Sequence, residues 1–447
     1  MTGVDVARSS LLALIYRLGG MVFWLVAGVI TARAMSVADR GVYSSAVVVI
    51  AATGGVGANF AASAGYFISN QKRPVAEVLL NGLILSVALG IFLLGGALVF
   101  ALFAEGDTRT IAIVVGIGLL PEVARNAIAG IFLALNSIGR WSVASYGPAL
   151  LGSLSLAVWV LGFGHRDAVG ALAAWVTGQY LGFVVTFLLS REWWAEAIRL
   201  RPNPRFMRSI AAFGSFTGLV AFVALVNARA GQLLVATLDS REGAGIFASS
   251  LALADGVSFV ATAVTVTSYG HVAALSRAES AKLTARAIRN TLLVSALAAL
   301  AIFVLAPIPI RILYGDRYEG AITPLRILAV GAVAFAPRGL FVNYFTVQLG
   351  KPQAVLVFTV IAAILNLALS VVLIPSMGYS GAAWAATIAY VLSMVLVVAY
   401  FLANAPVRSH ELWRVTGDDV RSYVSFARQV LSGRVLAGRG ARADADP

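Results

Sequence analysis

Apolar runs of about 20 residues or more recur down most of this chain, and each is long enough as a helix to cross roughly 30 Å of hydrocarbon. Twelve are legible, over approximately 10–33, 41–68, 76–103, 110–137, 142–163, 168–190, 209–238, 244–271, 287–310, 320–349, 353–374 and 379–403. With 60% hydrophobic and 12% charged residues the chain cannot present a polar surface on every side, so its solvent is a bilayer. Lipid offers backbone groups no partner, which leaves helices or a closed barrel. The runs are long and rich in Leu, Ala and Val rather than short and alternating, and the expected class is an all-α integral membrane protein.

Lys and Arg set the orientation. With the N-terminus inside, the inner segments carry 21 basic residues, including five Arg from 191 to 208 and seven after 407, against 7 in the outer loops. Both termini are therefore expected in the cytoplasm. The same asymmetry explains the formal charge of +13 as attraction to membrane lipids and not to nucleic acid. The chain has no Cys and three isolated His, at 165, 271 and 410, so no metal or thiol site is expected and no cofactor is indicated. The G-x-x-x-x-G-K-[ST] phosphate loop is absent from the sequence, which gives no pointer to ATP. The first run carries Arg17 and leads into a motif that recurs later, so it reads as part of the fold and not as a signal peptide.

That motif is "MSVADRGVYSS" at 35–45, which overlays "LDSREGAGIFASS" from 238 at an offset of 204, with Ser36 on Ser240 and Gly41 on Gly245. "NGLILS" from Asn81 overlays "NTLLVS" from Asn290 at 209, and Gly170 meets Gly381 at 211. A slowly growing offset implies two six-helix halves with small loop insertions. Six is even, so the halves share an orientation and are related by a pseudo-twofold axis along the membrane normal, around a central cavity suited to alternating access. The expected domains are an N-terminal six-helix bundle over 1–190, a cytoplasmic linker over 191–208, a C-terminal bundle over 209–403, and a cytoplasmic tail over 404–447. In the tail, Val420, Tyr423, Val424, Ala427 and Leu431 recur at helical spacing, and removal from 405 onward is expected to leave transport intact.

Five Arg fall inside the spans: Arg17, Arg125, Arg229, Arg326 and Arg338. An Arg near mid-bilayer costs at least about 2.5 kcal/mol, so each must face water or a partner. The acids there are Glu122 and Asp255, with Glu77 at an inner edge. Helical spacing groups Arg17, Gly20, Trp24 and Gly28 on the first span and Glu122, Arg125 and Asn126 on the fourth. It also groups Ser215, Gly218, Arg229 and Gln232 on the seventh, and Asp255, Ser258, Thr262 and Tyr269 on the eighth. Glu122 and Arg125 either neutralise each other or serve transport. Arg326, near the outer end of its span, is expected to snorkel, and Arg338 either bonds carbonyls freed by the Pro337 kink or binds substrate. Arg17 and Arg229 have no acid nearby on their own helices and are the leading candidates for an anion. Asp255 is either their counter-ion or a coupling site for a proton or cation.

"LYGDRYEGAITPLRIL" at 313–328, "AILNLALSVVLIP" at 363–375, "GYSGAAWAAT" at 378–387, "ITARAMSVADRGVYSSA" in the first helix pair and "MRSIAAFGSFTG" at the seventh span resemble the polysaccharide (oligosaccharide) flippase family. The resemblance covers essentially the whole membrane region. It implies membership of the superfamily that also holds multidrug/cation antiporters and lipid-precursor flippases. The implied activity is transfer of undecaprenyl-pyrophosphate-linked sugars from the cytoplasmic to the outer face of the bacterial inner membrane. It further implies a monomer and contact with polysaccharide-assembly enzymes. The family's pyrophosphate-associated basic residue carries over to Arg17, whereas the eighth span has acidic Asp255 where a second Arg would be expected. A multidrug or cation antiporter is the rival reading, kept open by Asp255. A glycan polymerase or ligase is a weaker one, because the outer loops are short and lack a His or paired-acid constellation.

Overall fold

The computed structural model describes residues 19–413 apart from 21, 70, 136, 258–275 and 350. Among them the regular structure is helical throughout: α1 (Val22–Ala34), α2 (Val37–Ser69), α3 (Val75–Phe103), α4 (Gly106–Ala134), α5 (Ile138–Leu156), α6 (Ala168–Leu189), α7 (Arg191–Ala197) and α8 (Pro204–Leu238). There follow α9 (Arg241–Ala254), α10 (Arg277–Leu305), α11 (Ile322–Phe335), α12 (Arg338–Asn343), α13 (Pro352–Met377), α14 (Tyr379–Asn404) and α15 (Ser409–Trp413). Among the described residues, eight helical stretches are long and apolar enough to cross a membrane, and this is a multi-pass membrane fold. The outward face of α3 illustrates the lipid side, with Phe92, Leu102 and Phe103 all largely exposed. We call the side carrying the 35–36 and 239–240 joins the join face, and the opposite side, which carries α7, the linker face.

The repeated motif has a physical cause. Ser36 accepts a hydrogen bond from Asp39 N (3.0 Å) and Ser240 accepts one from Gly243 N (2.9 Å), so each serine caps the helix that follows it. Five residues beyond each cap stands a glycine. A Cβ on Gly41 would collide with the carbonyl oxygen of Arg241, and one on Gly245 with that of Val37. Residues 37 and 41 therefore meet residues 241 and 245 reciprocally, the contact expected of two equivalent elements across a twofold axis. The join holds the two halves together at a point where neither tolerates a side chain.

Prolines inside the helices leave a second mark. Each lacks an N–H and frees the carbonyl four residues back, which lipid cannot satisfy. Pro121 lies within α4 and Tyr180 OH donates to Ile117 O (3.1 Å). Pro148 lies within α5 and Arg125 Nη1 donates to Ala144 O (2.5 Å). Pro307 follows α10, and Arg326 Nε donates to Phe303 O (2.9 Å). Pro337 breaks the tenth span between α11 and α12, as its sequence position suggests.

Two boundaries differ from expectation. α8 is 35 residues long, about 52 Å at 1.5 Å per residue. Its first turns belong to the other half: Phe206 and Ile210 sit in a core with Ala64, Phe67, Ile128 and Phe132, and Phe213 stacks on Tyr66 at 4.9 Å. α8 thus begins at Pro204, within the expected linker, and its first turns pack on the N-terminal bundle. The tail is also held beyond 404. Ala405, Val407 and Leu412 are buried against Ile288, Phe341 and Phe401, while Arg277 donates to Asn404 O and Arg289 to Glu411 O, both at 2.7 Å. Residues 420–431, the expected amphipathic helix, lie outside the described residues. A chain ending at Trp413 should therefore unfold in detergent at a higher midpoint than one ending at Asn404. One ending at Asn404 should lose about 2–5 kcal/mol for Leu412 alone, and equal midpoints would refute the docking.

Candidate functional site

The intramembrane charges separate into two clusters, one in each half. In the N-terminal half Glu122 Oε1 accepts from Arg125 Nη2 (2.7 Å) and Asn126 Nδ2 (3.1 Å), all on α4. With its amide turned so that the NH2 group faces Glu122, Gln179 of α6 donates to Oε2 (3.0 Å) and accepts from Trp175 Nε1 (3.3 Å). Arg125 is 5% exposed and spends its other bond on Ala144 O. Trp24 of α1 packs on Trp175 with centroids 4.8 Å apart, and keeps half its surface exposed. The Glu122–Arg125 pair is electrically neutral, and Arg125 is tied further to the backbone of α5. Arg125 and Glu122 are brought together, but as a closed structural pair.

The C-terminal half is different. Arg229 on α8 donates through Nη2 to Asp255 Oδ2 (2.6 Å), where α9 ends in a turn, and both side chains remain partly open, at 30% and 45% of their full exposure. Arg338, at the start of α12, donates to the Thr359 hydroxyl (2.9 Å) on α13 and lies 5.4 Å from the Phe335 ring centroid. Phe335 in turn packs on Tyr390 of α14 at 4.6 Å. Tyr390 lies within electrostatic reach of Asp255, Arg229 and Arg338 together. Among the described residues, α8, α12 and the end of α9 thus supply two guanidinium groups and one carboxylate, an excess of one positive charge. Arg338 bonds a side-chain hydroxyl, not a carbonyl freed by Pro337. Gln232, one helical turn beyond Arg229, is 3% exposed and its Nε2 has no hydrogen-bond partner. Below it Asn366 on α13 ties α8 down by donating to Asn227 O at 2.7 Å. Arg326, with its guanidinium 5.5 Å from the Phe303 ring, is engaged at the edge of the fold. Arg17, Ser258, Thr262 and Tyr269 lie outside the described residues.

Arg33, Arg40 and Arg317 are among the 7 basic residues counted in the outer loops, and in the structure they make contacts between the halves. Arg33 donates to the carbonyls of Arg311 (3.2 Å), Ile312 (2.5 Å) and Leu313 (3.2 Å), the last carbonyls of a helical turn. Arg317 returns the arrangement with bonds to Ala32 O (3.2 Å) and Arg33 O (3.4 Å), at the end of α1. A guanidinium at a helix C-terminus supplies donors and opposes the dipole. Arg40 is 4% exposed; it donates to Gly245 O (3.3 Å) and the Ser249 hydroxyl, beneath the rings of Tyr314 and Tyr318 at 4.5 and 4.8 Å. Its position directly before the repeated Gly41 was the available signal.

No protein-family model and no curated protein matches the chain. Solved structures do. An inward-facing multidrug resistance MATE family transporter of the MOP superfamily aligns with a TM-score of 0.69 at 17% identity, over 88% of this chain and 97% of that one. A structure of the lipid II flippase MurJ in an inward closed conformation gives 0.67 at 14%, over 96% and 100%. A MOP superfamily transporter from Pyrococcus furiosus, described by a reversed polarity of its binding pocket, gives 0.59 at 18%, over 89% and 94%. The chain has the fold of these transporters.

Arg125→Leu strips donors from Glu122 and Ala144 O together. It should lower stability by about 3–5 kcal/mol, read as a drop in unfolding midpoint in detergent. Adding Pro148→Ala, which returns an amide to Ala144 O, should recover part of the loss. No recovery would dissociate the proline from the arginine.

Proposed function

We propose that this protein is a flippase or exporter that carries an anionic polyprenyl-pyrophosphate-linked oligosaccharide from the cytoplasmic to the outer leaflet of the bacterial inner membrane by alternating access. The observation that carries this reading is the cationic cluster of the C-terminal half, where Arg229 and Arg338 outnumber Asp255 beside Tyr390. A polyprenyl tail is at home in hydrocarbon, whereas sugars and pyrophosphate need a hydrated, cationic route. Guanidinium forks suit phosphate oxygens through paired, charge-assisted bonds. The unpartnered amide of buried Gln232 beside Arg229 adds a donor for the same headgroup. The fold, shared with a lipid II flippase, supports the assignment.

On this reading the linker face is cytoplasmic, both termini are inside, and one monomer suffices. Arg17 contributes from the first helix, and the bundles over 1–190 and 209–403 rock against each other. With the cytoplasm negative, moving one negative charge outward across the full field gains roughly 2.3 kcal/mol per 100 mV, so the membrane potential drives export.

A second reading, export of organic cations, is favoured by the half-exposed carboxylate of Asp255 and by fold neighbours described as multidrug transporters. Drug-efflux assays in a sensitive host separate the two.

Purified protein in liposomes with a labelled polyprenyl-pyrophosphate sugar provides the direct test. Arg229→Ala and Arg338→Ala should each slow flipping by about tenfold or more, as loss of a charged hydrogen bond worth about 1.5–3 kcal/mol requires. Arg109→Ala, exposed on the join face, should leave the rate unaltered. Rates unchanged in both site variants would remove the cationic cluster from the mechanism. Collapsing the potential should slow outward transfer, and indifference to it would exclude the field as the driving force.

A further inference from the structure

The join face is closed by cations that have neutral acceptors. Among the described residues, no carboxylate lies within ion-pair distance of Arg33, Arg40 or Arg317, the three guanidinium groups that cross between the halves there. Asp39, next to Arg40 in sequence, is turned instead to the Ser36 hydroxyl at 2.5 Å. Arg33 and Arg317 are exposed and cap helix ends at the rim. Arg40 alone is buried, in a slot that exists because Gly41 and Gly245 let α2 and α9 touch backbone to backbone. Gly315, at φ +90, makes the sharp turn after Tyr314, and Tyr318 follows on the next turn, so that both rings lie against Arg40.

We propose that Arg40 is the latch of this face: its contacts with Gly245 O, Ser249 and the two tyrosine rings set how often the halves separate on the join side. Closure removes the guanidinium from water and gives it a carbonyl, a hydroxyl and two π faces in exchange, contacts that gain strength in a desolvated site. Opening breaks them and rehydrates the charge. A carboxylate in the slot would make a far more expensive contact to break, because separation would leave two charges seeking new partners. Neutral acceptors hold the closed state and still let it go. All the acceptors belong to the C-terminal half and the cation to the N-terminal half, so the contact cannot persist once the halves part.

The chain contains no Cys, which allows site-directed spin labelling without background. Glu105→Cys and Glu242→Cys place labels on exposed join-face positions of opposite halves. In nanodiscs the otherwise unchanged chain should give one dominant short distance. Arg40→Ala should raise the ratio of long to short distances at least tenfold, and the Tyr314→Leu, Tyr318→Leu pair should move it the same way. Arg40→Lys, which keeps the charge over the rings but loses the planar fork, should fall between. Arg33→Gln at the solvated rim should shift the ratio less than threefold. An unchanged distribution in Arg40→Ala would overturn the proposal. If that variant does not accumulate, Ser249→Ala reads the same contact, and an unchanged distribution there would overturn it equally. No cargo is present, so the result is independent of which substrate the protein carries.

Discussion

A carbonyl in hydrocarbon has no water to turn to, and that single constraint organises the polar side chains of this protein. A regular helix satisfies its own backbone, so the demand arises only where regularity fails, at internal prolines and at helix ends. At three of these prolines and at the join, a side chain from another helix answers it. Tyr180, Arg125 and Arg326 reach the carbonyls freed by Pro121, Pro148 and Pro307, and Arg33 and Arg317 cap helix ends across the join. Most of these bonds tie together helices far apart in sequence. The breaks that would weaken a soluble helix become points of attachment between membrane helices.

This constraint also sorts the intramembrane arginines. An expensive charge at depth signals function only if no structural demand accounts for it. Arg125 and Arg326 are accounted for by freed carbonyls, and Arg125 additionally by Glu122. Arg229 and Arg338 answer no broken backbone; their partners are side chains, one of them an acid that is itself half open to solvent. The argument for a cargo site therefore rests on the C-terminal half, reached by removing the charges that the fold needs for itself.

Much of the architecture was legible in the residues because the relevant signals are local. Run length gave the spans, and the Ser36/Ser240 and Gly41/Gly245 pairs marked equivalent caps and equivalent close approaches. Pro337 marked a break, and the Glu122–Arg125 spacing of three put both groups on one face of α4. The partners of the charges were not legible in the same way. Spacing fixes which residues share a face but not which helix that face meets, so the Arg125–Ala144 and Arg229–Asp255 contacts depend on packing. Arg40 was hidden for a related reason: a charge at the end of an apolar run reads as a loop residue, and only the glycine contact draws it inside. Composition changes at the linker, whereas α8 begins inside it at Pro204 and runs on through 209.

The two halves repeat a backbone plan but not its charges, and this has a consequence for alternating access. If both halves offered equal cationic surfaces, an anionic headgroup would bridge them and resist their separation on either face. Here the described N-terminal pair of Glu122 and Arg125 is neutral and tied to the backbone of α5, while the C-terminal cluster keeps an excess positive charge. On the proposed function, the C-terminal cluster would carry most of the headgroup's charge, with Arg17 of the first helix adding to it from the other half. The contacts that must form and break between halves would then be mostly those of the join and linker faces. Separating the binding surface from the moving interface in this way allows a tightly held headgroup and a freely rocking pair of bundles to coexist in one chain.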